Sequence, residues 1–138
     1  MYSIPYIISL VCFYAPFYQV PPSEALAIID TESAFNPWAT GSAGEVGLFQ
    51  IHPKWHKEYE ASELYDPHKN VLTGLLKIKK FKRLCGSKWP TCYNRGVNGM
   101  KKMLNASVDK YAKLVRERKD KKWQSFSCSS LLASRYLQ

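Results

Sequence analysis

The chain has 138 residues, with 20 Lys and Arg against 11 Asp and Glu, a formal net charge of +9 at pH 7, and 46% hydrophobic residues. That is the length of one domain with a real hydrophobic core and too short for two, and the composition excludes a disordered or low-complexity chain. Charge is unevenly split: residues 1–53 hold four acids (Glu24, Asp30, Glu32, Glu45) and no Lys or Arg, so the remainder carries every basic residue and a net +13.

The first 23 residues are uncharged, and "IPYIISLVCFYAPFYQV" has the apolarity of a leader or a membrane span. No basic segment precedes it, Phe13 is too bulky for the minus-three position of a cleavage after Ala15, and Pro5 and Pro16 shorten the continuous run. The expectation is a buried first helix over about 5–18, with an uncleaved anchor as the alternative.

A second helix, started by Pro22 or Ser23, carries Ala25, Ile28, Ile29 and Glu32 on one stripe, since residues three, four and seven apart share a face. Glu32 therefore points inward, whereas Asp30 falls nearly opposite it with Glu24 and Thr31, as an ordinary solvated acid. Asn36 and Pro37 are poor helix continuers, which puts Glu32 in the last turn, where a helix end commonly lines a cleft. Desolvation and the negative end of the helix dipole would both raise its pKa, the condition for a general acid near neutral pH. The bland reading is a frayed helix end with Glu32 in water.

"NPWATGSAGEVG" follows, with Gly41, Gly44 and Gly47 spaced three apart, a loop that can bring backbone close to a ligand. "LFQIHP" is a short apolar segment ended by Pro53. "YDPHKNVLTGLLKIKKFKRL" has an explicit helix start in Asp66 and Pro67, and Val71, Leu75 and Ile78 share a face with Gly74 for close packing, its lysines pointing elsewhere. "CGSKWPTCYNRGVNG" reads as a second Gly- and Pro-punctuated loop, and 100–123 as one or two amphipathic helices. The Ser-rich end, 123–138, reads as a loosely held tail behind a domain of residues 1–122. Asn105 to Ser107 spell a glycosylation sequon, here read as chance.

The four cysteines, Cys12, Cys85, Cys92 and Cys128, form no CxxC pair, which argues against zinc. Cys85 and Cys92 bracket a turn-rich hexapeptide that a disulfide could close in an oxidising compartment; free thiols fit equally. Pro53 between His52 and His56 spoils a helical ligand pair, and His68 lies in a cap region, so no metal and no cofactor is expected. "KIKKFKR" (77–83) and "RERKDKK" (116–122) suit an anionic wall, membrane or nucleic-acid surface, or are merely solvated helix faces. With no helix-turn-helix and no aromatic platform, specific nucleic-acid binding is not expected. The fold class is mainly α, helices around a groove edged by irregular or β-like loops.

Three of these stretches resemble, in order, the motifs of soluble lytic transglycosylase (SLT) domains of the lysozyme-like superfamily. "AIIDTESAFNPWATGSAGEVGLFQIHP" is similar to their E-S, F-N-P and G-L-x-Q-I core, "YDPHKNVLTGLLKIKKF" to their D-P-x-x-N helix, and "TCYNRG" to their A-Y-N-A-G motif; the likeness runs from about residue 6 to about 119. The resemblance implies cleavage of the β-1,4 bond between N-acetylmuramic acid and N-acetylglucosamine in peptidoglycan, at the bacterial wall, with formation of a 1,6-anhydro ring. It implies Glu32 as acid and then base, and Ser33 as a supporting hydrogen-bonding group. Gln50 would line the sugar groove, Gly47 and Leu48 would shape its backbone, and Tyr93 and Asn94 would face Glu32 across the cleft.

The chain departs from the family pattern at Glu45, which replaces a small or apolar residue. As a second carboxylate it could activate water and make the protein a hydrolytic muramidase. Cys92 and Arg95 replace alanines flanking Tyr-Asn, and His52 replaces a Met. A catalytically silent wall-binding module is the remaining alternative. A compact basic domain of this kind suits a phage virion or lysis protein, or a secretion apparatus, as a monomer or as part of a larger assembly.

Overall fold

Ser3 caps the first helix by accepting the Tyr6 N–H at 3.2 Å, and helix α1 runs Ile4–Tyr14 in the computed structural model, which describes residues 2–103 and 109–129. Its buried side, Ile7, Leu10 and Val11, faces the core. The expected helix over 5–18 thus ends early, with Ala15–Tyr18 tightening into a 3-10 turn and Gln19 leaving it in a left-handed conformation (φ 57°).

Helix α2, Pro22–Ser33, begins where Pro22 supplies a preset φ and no amide donor is missed. Five of its residues from Ala25 to Ile29 are fully buried. It ends at two consecutive left-handed residues, Ala34 (φ 49°) and Phe35 (φ 64°), a conformation that costs an L-residue about 1–2 kcal/mol. The Phe35 ring, against Trp123 at 5.5 Å between centroids, holds that bend in place.

Residues 36–66 are irregular. Two isolated antiparallel bridges, Thr40 to Val46 and Val46 to Ile51, gather the loop, and 3-10 turns follow at Pro53–Trp55 and Ala61–Tyr65. Asp66 then accepts the Lys69 N–H at 3.2 Å and opens helix α3, Pro67–Cys85, the central element, which packs on α1. Both nitrogens of His68 meet hydroxyls of α1, Tyr6 at 2.8 Å and Tyr14 at 3.0 Å. Val71, Leu75 and Ile78 are fully buried as their spacing predicts. The Phe49 ring packs directly on Gly74, where any Cβ would strike it. Gly74→Ala should therefore overpack this contact and destabilise by about 1–3 kcal/mol, read as a lower denaturation midpoint.

Four sequence readings need correction. The stretch expected as a second loop is helix α4, Trp89–Lys102, packed on α3. Pro90 sits at the helix start, where it favours a helix rather than breaking one, and Gly96 (φ 75°, ψ 169°) only kinks it. Asp30 is not a solvated acid: it accepts from Lys122 at 2.9 Å and the Trp123 indole at 3.3 Å. Glu24 is buried at 8% exposure and paired with Lys82 at 2.7 Å. The lysines of α3 do not all point away, since Lys77 faces the cleft described below.

Helix α5, Lys110–Arg118, continues through a π turn, Lys119–Trp123, and both pack on α2. Trp123, where the Ser-rich end begins, is buried, and Phe126 packs against the same core. Disulfides join Cys12 to Cys128 and Cys85 to Cys92. The sequon asparagine, Asn105, and residues 130–138 lie outside the described residues. Among the described residues no helix is long and apolar enough to cross a membrane.

Candidate active site

A groove of about 1190 Å³ runs between the irregular 45–59 segment and the paired helices α3 and α4, with the end of α2 in its wall. That volume exceeds the roughly 300–1,000 Å³ of ordinary small-molecule pockets and suits an extended ligand.

Glu32, the next-to-last residue of α2, enters this groove half-buried. Burial is the main force on its carboxyl and raises the pKa above the usual 4.5. The Tyr111 hydroxyl and the Lys77 ammonium pull it down, and Glu45 pushes it up. Tyr111 comes from α5; its buried hydroxyl has no partner in strict hydrogen-bonding geometry and faces this carboxylate. Both Tyr111 and Tyr93 are held neutral, their own pKa values raised chiefly by burial.

The loop that presents Gln50 and Glu45 is built around one buried amide. Asn70 of α3 accepts the Phe49 N–H and donates to the carbonyls of Val46 and Leu64, all at 2.8 Å. Gly47 (φ 77°) passes directly over it, where a Cβ would collide with the Asn70 amide and meet the Leu64 carbonyl at 2.8 Å. Tyr93 of α4 closes the same loop from the other side, donating its hydroxyl to the Phe49 carbonyl at 2.7 Å. Gln50, left-handed at φ 49°, donates its side-chain amide to the carbonyls of Ala39 and Gly47 at 3.1 and 3.0 Å.

Of the residues singled out in the sequence, Glu32, Glu45, Gln50, Tyr93 and Asn94 meet in this groove. Ser33 does not line it; its hydroxyl bonds back to the Ile29 carbonyl at 3.0 Å. Gly47 and Leu48 do not line it, Leu48 being fully buried. His52 and His56 both line the groove, and His56 is lowered chiefly by burial and then by Lys77. Among the described residues no group of His, Cys, Asp or Glu is arranged to hold a metal ion.

Three residues that sequence reasoning passed over matter here: Asn70, Lys77 and Tyr111. Asn70 had a signal, its place in the D-P-x-x-N pattern; Lys77 and Tyr111 sit in charged amphipathic stretches with nothing local to mark them.

Comparison with known proteins gives the family and the fold of the chain. The model of the transglycosylase SLT domain matches residues 10–116. A membrane-bound lytic murein transglycosylase C of Actinobacillus pleuropneumoniae is 30% identical, over 72% of this chain and 32% of the relative. A transglycosylase of Enterobacteria phage PRD1 is 30% identical over 46% of this chain and 24% of the relative. In fold, the chain is similar to the 70 kDa soluble lytic transglycosylase SLT70 from Escherichia coli, with a TM-score of 0.71 and 23% identity over 80% of this chain and 23% of that one. The chain spans about a third of the length of the first of these relatives. With most of its length matched by the domain model, the chain belongs to the transglycosylase SLT domain family.

Proposed function

We propose that this protein is a peptidoglycan lytic transglycosylase that cleaves the MurNAc-β-1,4-GlcNAc bond and closes a 1,6-anhydro ring on the muramic acid. The observation that carries this reading is the placement of Glu32: a half-buried carboxyl with a raised pKa, in the wall of a groove of about 1190 Å³. Protonated, it would donate to the glycosidic oxygen as the bond to C1 breaks. The carboxylate so formed would then take the proton of the C6 hydroxyl as that oxygen bonds to C1, so no water is consumed. Most glycosidases need two carboxylates, but substrate-assisted ones need only one, the N-acetyl group of the sugar supplying the second function. The name of one relative, lytic murein transglycosylase, supports the substrate. Gln50 and Asn94 would contact the sugars, with Tyr93 supporting them from below.

The site of action we assign is the bacterial cell wall. Two disulfides suit an oxidising compartment, and the basic half of the chain suits an anionic surface.

Glu45 gives a second reading its own observation, because it lines the groove and acts electrostatically on Glu32. With Glu45 activating water, the same bond would be hydrolysed. Mass spectrometry of fragments released from purified peptidoglycan separates the two. Ends lighter by one water and resistant to borohydride are the expected result; hydrated, reducible ends that disappear in Glu45→Gln would make the protein a muramidase.

A further inference from the structure

Helix α3 carries five lysines, and four of them have ordinary surroundings. Lys69 pairs with Glu63 at 2.9 Å, Lys82 with Glu24 at 2.7 Å, and Lys79 and Lys80 are exposed. Lys77 differs. It is half-buried in the groove wall, and among the described residues it makes no ion pair within 4.0 Å. Its ammonium instead rests 4.0 Å from the centroid of the Tyr93 ring, a ring fixed by the hydroxyl's bond to the Phe49 carbonyl. An aromatic face holds a cation without neutralising it. The charge is thus immobilised and left to act on Glu32 and Glu45, two of the carboxylates that line the groove.

We propose that Lys77 is a positioning residue for the reaction assigned above: seated on Tyr93, its ammonium balances the proton on Glu32 so that one carboxyl can both give and take it. This role of Lys77 rests on that reading, and it would let a single group serve two opposite steps. An acid made too weak by burial would fail as a donor, and one left fully ionised beside a cation would never hold the proton.

The groups facing this pair come from every element around it. Glu45 and Glu58 come from the irregular segment, with His52 and His56; Lys80 from α3; Arg95 from α4, engaged with Asp109 at 3.8 Å; and Tyr111 from α5. Burial and Glu45 favour the acid form of Glu32, while Tyr111 and Lys77 favour the anion. Reciprocally, Lys77 is pulled by burial to about 8 and supported by Glu32 and Glu45. Below that pH the ammonium is present; above it the Glu32 anion loses a stabilising partner.

The test has two parts. Initial rates of soluble product release from purified peptidoglycan are measured against pH for wild type, Lys77→Met and Lys77→Arg. The limb on which activity falls as Glu32 loses its proton should move to higher pH in Lys77→Met, because the cation favouring the carboxylate is gone, and stay in place in Lys77→Arg. In parallel, the lysine 13Cε resonances of the full chain are titrated in wild type and Glu32→Gln. One lysine should titrate near 8, and its midpoint should drop in Glu32→Gln, because coupling between two sites is mutual. Superimposable limbs in Lys77→Met and wild type overturn the proposal. So does a lysine set in which none titrates below the usual 10.5 range or responds to Glu32→Gln. The resonance experiment needs neither turnover nor a folded Lys77→Met, so it tests the coupling of Lys77 to Glu32 separately from the assignment of peptidoglycan as substrate, which the mass spectrometry of released fragments tests.

Discussion

Glu32→Gln should leave the fold intact and reduce release of anhydro fragments from peptidoglycan by about 10²–10⁴-fold, the usual contribution of a positioned general acid or base. The amide keeps the shape of the carboxyl and can still face Tyr111, but it has no proton to give at the glycosidic oxygen and cannot take one from the C6 hydroxyl. The wild-type pH profile should carry the matching signature. In the proposed reaction the first step needs the protonated carboxyl, so activity should be present below the pKa of Glu32 and be lost as pH rises through it. Because burial lifts that pKa above the ordinary 4.5, the active range should extend to higher pH than a solvated glutamate would allow. A mutant that keeps wild-type rates, with unchanged products, would remove Glu32 from the mechanism.

Asn70→Ala is expected to be the most damaging substitution away from the reacting groups. The side chain is 1% exposed and satisfies three backbone groups, the Phe49 N–H and the Val46 and Leu64 carbonyls. Leaving a buried polar group unpaired costs about 1–3 kcal/mol, so losing three partners at once should cost about 3–5 kcal/mol after partial relaxation. Against a typical stability of about 5–15 kcal/mol this is a large share, and it should appear as a marked fall in the urea midpoint. Asn70→Asp should recover little, since a carboxylate can accept from Phe49 but cannot donate to two carbonyls. The loop carrying Glu45 and Gln50 should loosen first, so activity should fall at temperatures where most of the protein is still folded.

What could be read from the sequence divides along the range of the interactions. The inward aim of Glu32 was legible because the stripe that buries it, Ala25, Ile28 and Ile29, lies within two turns of the same helix. The start of α3 was legible in Asp66 and Pro67, and its packing face in Val71, Leu75 and Ile78. Helix α4 was missed because Gly and Pro were weighed by type rather than by position: Pro90 opens the helix and Gly96 kinks it. The partners of Glu24 and Asp30 were out of reach, since Lys82 is 58 residues from one and Lys122 is 92 from the other. The same holds for the groove. Glu32, Lys77, Tyr93 and Tyr111 come from four different helices, and no local pattern announces that a lysine among five on α3 lies over a tyrosine of α4.

The Cys12–Cys128 bridge bears on durability against proteolysis. It spans 116 residues of sequence and so encloses α2 through α5 and every residue of the groove in one covalent ring. A single cut of the backbone anywhere inside it, including in the exposed Ser42–Gly44 tip, would leave both pieces joined covalently. For such a ring, the first hydrolytic event opens a circle rather than releasing a fragment, and two are needed before any part of the site can diffuse away.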